Sequence, residues 1–162
     1  ITFEELINIK GIGNKKAAVI MAAIELSKRM NQKVVNIRNK ISDPLNIYNH
    51  YKEILKDEKQ EHFYAIYLDI KNKIIKDKLL FIGTINYSMV HPREIFKEAY
   101  LIGAISIIIV HNHPSGEVLP SKNDIETTKQ LDAVGKLMGI PIIDHIIIGE
   151  NKYYSFFENG DI

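Results

Sequence analysis

Two histidines, a serine and an aspartate lie close together in the segment HNHPSGEVLPSKND, residues 111–124. His111 and His113 stand two residues apart at the end of an apolar run, and side chains two apart in a strand point to the same side. The Pro and Gly residues that follow favour a compact loop leading back toward them. Asp124 falls in the first turn of a helix predicted to open at Ser121. Two imidazoles and one carboxylate form the usual ligand set of a catalytic zinc, whose fourth tetrahedral position holds water.

Ser121 and Asp124 also fit a second interpretation. The pattern Ser-x-x-Asp is similar to a helix capping box, in which the two residues would serve only the start of the helix. The combination of both residues with the histidine pair and the intervening loop favours the metal site. His145, in IIDHIIIG, is expected inside a strand, as a core residue or a support for the ligands. The remaining histidines are assigned to packing or to the surface: His50, His62 and His91.

Composition narrows the classes of protein. The chain has no cysteine, which excludes disulfides, cysteine-ligated zinc, iron–sulfur clusters and thiol catalysis. A zinc deaminase is excluded as well, because it would need a Pro-Cys-x-x-Cys segment. No apolar run reaches the roughly 18 residues that cross a bilayer, and the first residues lack the pattern of a secretory signal. We therefore expect a cytoplasmic protein without a membrane partner.

The region after residue 60 alternates between predicted strands and helices. HFYAIYLDIKNKIIKDKLLFIGTINYS reads as a hairpin, and a helix follows over Pro92–Ile102. Next come a strand over Ala104–Val110, a helix over Ser121–Met138, and two strands in IIDHIIIG and YYSFF. This order predicts an α/β fold with a mixed sheet and packed helices. The run AISIIIV is typical of a central strand covered on both faces, and chemistry in such sheets lies beyond strand ends.

The first forty residues differ in charge and predicted structure. They carry eight basic and three acidic residues, whereas the whole chain has a net charge of +1. Two helices are predicted, from about Phe3 to Ile9 and from about Asn14 to Met30, with the turn GIG between them. Such a turn can expose backbone N–H groups to a phosphate. The alternative is that the glycines only let the helices pack. The residues proposed to contact nucleic acid are Gly11, Gly13, Lys15 and Lys16.

This first part resembles a helix-hairpin-helix motif, present as a single copy, and the resemblance implies weak, sequence-independent DNA binding. Asp43 and Pro44 predict the N-terminus of a helix that runs to Leu55, preceded by a linker at 31–42. We therefore divide the chain into a partial helix-hairpin-helix segment at 1–40, a linking helix at 41–59 and the site-bearing domain at 60–162.

The pattern from His111-x-His113-Pro114 to Ser121-x-x-Asp124 resembles the JAMM, or MPN-plus, signature of zinc-dependent isopeptidases. The wider stretches VHPREIFKEA, VHNHPSG, PSKNDIETTKQL and IDHIIIG are similar to the bacterial RadC family, although the first part of that family's helical domain has no counterpart here. The resemblance implies a three-layer, cytidine-deaminase-like architecture. It also implies one Zn²⁺ per chain on His111, His113 and Asp124, with Ser121 steadying the oxyanion. The implied substrate is a protein or peptide amide or isopeptide bond.

The family plan requires a glutamate as general base just before the first strand of the domain. Glu61 in QEHFYAIYLD fits that place and is preferred to its rival, Glu94 in HPREIF. Two other functions remain open. One is a DNA-associated repair or recombination accessory protein whose metal is not catalytic, and the other is a metal-dependent nuclease. The oligomeric state and the physiological substrate are not predicted.

Overall fold

A computed structural model of the protein describes residues 1–31, 43–83 and 90–162. Most of the predicted linker, at 32–42, and the end of the predicted hairpin run, at 84–88, lie outside the described residues. The chain divides into two compact units, Ile1–Asn36 and Ile37–Ile162. None of the described helices is both long and apolar enough to cross a membrane.

The first unit contains two helices, α1 (Phe3–Ile7) and α2 (Asn14–Asn31). Helix α1 begins with a capping box in which the Thr2 side chain accepts from the Glu5 N–H and the Glu5 carboxylate accepts from the Thr2 N–H. It ends two residues earlier than the sequence suggests, because the Ile9 N–H bonds to the Leu6 carbonyl and starts the turn. Leu6 and Ala17 are buried within this unit.

The second unit is built on a mixed sheet of five strands in the order β2-β1-β3-β4-β5. The strands are β1 (His62–Leu68), β2 (Ile74–Ile82), β3 (Ser106–Asn112), β4 (Ile142–Ile148) and β5 (Tyr153–Ser155). Strand β1 pairs antiparallel with both β2 and β3, and β3 runs parallel to β4. All seven residues of β3 are buried. The predicted mixed α/β fold with a buried central strand is thus confirmed.

Four helices belong to this unit: α3 (Pro44–Leu55), α4 (Pro92–Ile102), α5 (Lys122–Met138) and α6 (Phe156–Asn159). Asp43 caps α3 by accepting from the Leu45 N–H at 2.8 Å. Helix α6 replaces the second half of the strand expected in YYSFF. The strand stops at Ser155, because the Ser155 side chain accepts from the Glu158 N–H at 3.1 Å and so starts a helical turn.

Alternation along the central strands sends buried residues to two faces of the sheet. One face packs on α4 and α5, and the other packs on α3. The helix expected at 41–59 only as a link therefore covers a full face of the sheet, and the unit has three layers. Residues 107 and 109 of β3 lie on the face shared with α5. By the same alternation, His111 emerges on the side where α5 begins.

Candidate metal centre

His111, His113 and Asp124 bring their side chains to one point. The His111 Nε2 lies 3.0 Å from the His113 Nε2 and 3.3 Å from the Asp124 Oδ1. The His113 Nε2 lies 3.4 Å from the Asp124 Oδ2. A tetrahedral zinc with bonds of about 2.0–2.1 Å needs ligand atoms roughly 3.3–3.4 Å apart. The three side chains therefore fit a metal ion, and the group could hold one.

The end of β3 and the loop after it fix the two histidines. His111 is paired with Phe63 of β1, and the backbone N–H of His113 donates to the Ile148 carbonyl at 3.0 Å. The Nδ1 of His113 lies 2.8 Å from the Glu117 carbonyl. Since a carbonyl only accepts, this nitrogen carries the proton and the Nε2 lone pair is left for the metal.

The Asp124 carboxylate makes two sets of contacts at the start of α5. Its Oδ2 accepts from the Ser121 N–H at 2.7 Å, and the Ser121 hydroxyl accepts from the Asp124 N–H at 3.2 Å. The capping box is thus formed, and the same carboxylate faces both histidines. The capping box expected for Ser121 and Asp124 is therefore confirmed, and the position of the carboxylate is compatible with metal binding as well. Ser121 is exposed at the edge of the site.

Electrostatics favour the charge states that a cation requires at His111 and Asp124. Burial, together with the nearby His145, holds the pKa of His111 well below its usual value, so its ring is neutral. Burial alone would raise the pKa of Asp124, but its side-chain interactions with His113 and His111 and the bonds with Ser121 hold it well below its usual range. Burial lowers the pKa of His113, whereas its bonds to Asp124 and Glu117 raise it by more. The group therefore offers an ionised carboxylate beside a neutral imidazole.

Glu61 directly precedes β1, on the strand that neighbours β3. Its backbone carbonyl accepts from the Gly83 N–H at 2.9 Å. Continuing the antiparallel register from the pair Phe63 and His111 places Glu61 opposite His113. The Glu61 carboxylate lies near enough to contribute to the raised pKa of His113.

The backbone on both sides of Glu61 is held by one buried side chain. The Asn112 Oδ1 accepts from the His62 N–H at 2.7 Å, and its Nδ2 donates to the Gln60 carbonyl at 3.1 Å. Asn112 is 4% exposed. Glu94, the rival base, lies in the first turn of α4, is half-exposed and accepts from Arg93 at 3.1 Å.

Behind His111 lie two buried residues, His145 of β4 and Thr128 of α5. The His145 Nε2 lies 2.8 Å from the His111 Nδ1, and its Nδ1 lies 2.6 Å from the Thr128 Oγ1. Burial lowers the pKa of His145 to about 3. His145 is thus buried behind His111 and contacts its ring, which agrees with the expectation of a core or supporting residue. Thr128 was not predicted from the sequence. Its position four residues after Asp124 places the two side chains on the same face of a helix, which could have indicated it.

A cavity of ≈ 210 Å³ opens beside His113, at the carboxyl end of β3 and β4. Helix α3 and its C-cap residue supply two lysines to its wall, and the loops after β3 and β4 supply glycines and one acidic side chain. Residues lining it include Lys52, Lys56, Gly116, Gly149 and Glu150.

The residues proposed for nucleic-acid binding belong to the first unit. Gly11 has φ +92°, a conformation that favours glycine, whereas a Cβ on Gly13 would meet no atom within 4 Å. The Lys16 ammonium donates to the Gly11 carbonyl at 2.9 Å, and Lys15 is exposed. The hairpin turn therefore depends on Gly11 rather than on Gly13.

Comparison with known proteins agrees with this architecture. The family described as RadC-like JAB domain matches residues 41–161, which include α3 and the whole sheet. A UPF0758 protein of Geobacillus sp. (strain WCH70) is 49% identical over 98% of this chain and 70% of its own length. UPF0758 proteins of Bacillus cereus (strain G9842) and Staphylococcus haemolyticus (strain JCSC1435) are 47% and 46% identical over 99% of the chain, and 72% and 70% of their own lengths. The chain thus belongs to the RadC family and carries its JAB domain.

Proposed function

We propose that the protein is a zinc-dependent hydrolase of amide bonds, in peptides or isopeptides, of the JAMM type. The observation that carries the proposal is the spacing of His111, His113 and Asp124, which suits three corners of a zinc tetrahedron. Among the described residues, the metal-binding group consists of these three side chains. A structural zinc site would use a fourth protein ligand, whereas a catalytic one leaves that corner to water.

Each residue then has a defined part in hydrolysis. Bound zinc would lower the pKa of a water molecule toward about 7 and polarise the substrate carbonyl. Glu61 accepts the proton of the attacking water and later delivers it to the leaving amine. The Ser121 hydroxyl already accepts from the Asp124 N–H, and its own proton is directed to the oxyanion of the substrate.

The cavity beside His113 is the proposed place for the chain on one side of the scissile amide. It lies next to a ligand of the metal and is lined by the loops that follow β3 and β4. A substrate chain bound in this cavity would approach the metal-binding group from the protein surface, with its scissile carbonyl near His113. The bond to be cleaved is a peptide or isopeptide amide.

A second candidate function is a DNA-associated accessory protein whose metal does not act in catalysis. The feature that favours it is the hairpin turn with Gly11 at φ +92°, bordered by Lys10, Lys15 and Lys16. We propose weak, sequence-independent binding to phosphates by this turn, because so few lysines can neutralise only a few charges. This binding is compatible with hydrolysis by the second unit.

The decisive experiment compares Glu61→Gln with Glu94→Gln in zinc-loaded protein. Glu61→Gln keeps the side-chain shape and should keep the zinc, but removes the proton acceptor, which contributes roughly 10²–10⁴ in rate. Zinc content is measured by elemental analysis, and hydrolysis is measured on a panel of peptides and isopeptide-linked conjugates. Glu94→Gln should cleave at the wild-type rate.

Two outcomes would contradict this proposal. If Glu94→Gln is inactive and Glu61→Gln is active, the base is wrongly assigned. If a zinc-bound structure has a protein side chain in the fourth coordination position in the presence of substrate, the second candidate function is favoured instead.

A further inference from the structure

The His111 ring is held by a chain of hydrogen bonds that leads back to another metal ligand. From the His111 Nδ1 the chain passes to the His145 Nε2 at 2.8 Å. It continues from the His145 Nδ1 to the Thr128 Oγ1 at 2.6 Å, and from this hydroxyl to the Asp124 carbonyl oxygen at 2.6 Å. His111, His145 and Thr128 are each no more than 2% exposed. Their polar atoms must therefore find partners inside the protein.

The direction of every bond in this chain follows from its last member. A carbonyl oxygen only accepts, so the single proton of the Thr128 hydroxyl is directed to Asp124. The Thr128 oxygen can therefore only accept a hydrogen bond from His145, so the His145 Nδ1 must carry a proton. In a neutral imidazole the other nitrogen is an acceptor. The His145 Nε2 thus accepts from the Nδ1–H of His111.

The Nε2 of His111 is consequently the nitrogen without a proton, and it faces Asp124 and His113. We propose that His145 and Thr128 are positioning residues, which hold His111 in the tautomer whose Nε2 lone pair is directed at the metal. The inference rests on the metal site of the proposed function. His111 and Asp124, the two residues at the ends of this chain, are both among those that would hold the metal.

Packing alone does not select this tautomer. Phe156 stacks on His145 with ring centroids 4.9 Å apart and an angle of 11°, and Phe63 stacks on His111 at 5.9 Å and 19°. These contacts restrict the tilt of both rings. An aromatic face does not distinguish a protonated ring nitrogen from an unprotonated one as a hydrogen bond does. The Thr128 hydroxyl sets the direction of these hydrogen bonds, so a variant that lacks this hydroxyl tests the proposal.

The first test compares Thr128→Val with Thr128→Ser. Valine keeps the branched shape but has no hydroxyl, so the His145 Nδ1–H loses its acceptor, while serine keeps the hydroxyl. Zinc affinity is measured by competition with a chromophoric chelator. We expect about 10–100-fold weaker binding for Thr128→Val and near wild-type binding for Thr128→Ser. Equal affinities for the two variants would overturn the inference. Melting of the metal-free proteins identifies a variant that fails to fold.

The second test reads the tautomers directly and needs neither zinc nor substrate. Long-range ¹H–¹⁵N spectra of the metal-free wild-type protein, recorded near pH 8 where unperturbed imidazoles are neutral, should show His111 and His145 protonated at Nδ1. In Thr128→Val, both rings should gain the Nε2–H tautomer. A wild-type His111 protonated at Nε2 would refute the inference. A protein that binds zinc but cleaves nothing would contradict the proposed function. The zinc affinities and the tautomer spectra would still test the role of His145 and Thr128.

Discussion

The two roles assigned to Asp124, the observed helix cap and the proposed metal ligand, give a prediction in which metal binding and helix capping separate. Asp124→Asn keeps an oxygen that can accept from the Ser121 N–H, now 2.7 Å from the Asp124 Oδ2, but it removes the anionic ligand. Ser121→Ala does the reverse, since it removes the hydroxyl that accepts from the Asp124 N–H and leaves the three ligands in place. The two variants should therefore change different quantities in the same thermal melt.

The magnitudes follow from linkage and from the helix cap. Zinc at about 100 times its dissociation constant should stabilise the folded protein by roughly 2.7 kcal/mol. For a chain of this size, that corresponds to a rise in Tm of about 5–11 °C. Asp124→Asn should lose most of this rise. Ser121→Ala should keep it, but its metal-free Tm should be lower by about 2–4 °C, because the lost cap costs about 1 kcal/mol.

The assay is differential scanning fluorimetry or calorimetry of each protein, with chelator and with a series of zinc concentrations. A zinc-dependent rise in Asp124→Asn equal to that of the wild type would show that Asp124 is not a ligand. Loss of the rise in Ser121→Ala would show that the capping box is needed to present the carboxylate, and that the two functions are not separable.

Two further predictions concern other parts of the chain. Burial raises the pKa of Asp144 to about 6, despite its bonds from Phe157, Ser155 and His145, so its contribution to stability is present below pH 3.8 and lost as the pH rises through about 6. The free energy of unfolding of Asp144→Asn relative to the wild type should therefore rise by roughly 2 kcal/mol from pH 4 to pH 7 in metal-free urea titrations, and parallel curves would contradict it. Gly11→Ala strains the hairpin turn and should weaken a salt-sensitive affinity for duplex DNA. The control, Gly13→Ala, fits without a steric clash and should bind DNA as the wild type does. Equal effects of the two substitutions on DNA binding would contradict the proposed role of the turn.

Much of the second unit could be predicted because it depends on residue patterns within short stretches of the sequence. The two-residue spacing of His111 and His113 and the apolar run before them indicate both the strand and the convergence of the rings. Helix α4 is bounded by Pro92 at its start and by Gly103 with φ 68° at its end, and both residues are visible in the sequence. The metal-binding group is therefore found from a stretch of fourteen residues.

Other parts of the site depend on register, which sequence patterns do not specify. Asn112 holds the backbone around Glu61 only because β1 and β3 pair Phe63 with His111. Thr128 reaches His145 because β4 lies parallel to β3 and α5 crosses between them. The packing of α3 on the sheet was also missed, because an amphipathic helix next to a charged boundary resembles a linker. Contacts between distant segments require the three-dimensional fold.

The position of these groups along the chain has a consequence for the order in which the site is assembled. The three ligands lie within fourteen residues, whereas Glu61 lies fifty residues before His111. Closing a short loop carries a small entropy cost, so under the proposed function a chain could bind a metal once β3, its loop and the start of α5 have formed. Glu61 comes to lie opposite His113 only when β1 pairs with β3. Under the proposed function, metal binding and hydrolytic activity would therefore be separate stages of maturation, and a zinc-bound chain would be inactive until β1 pairs with β3.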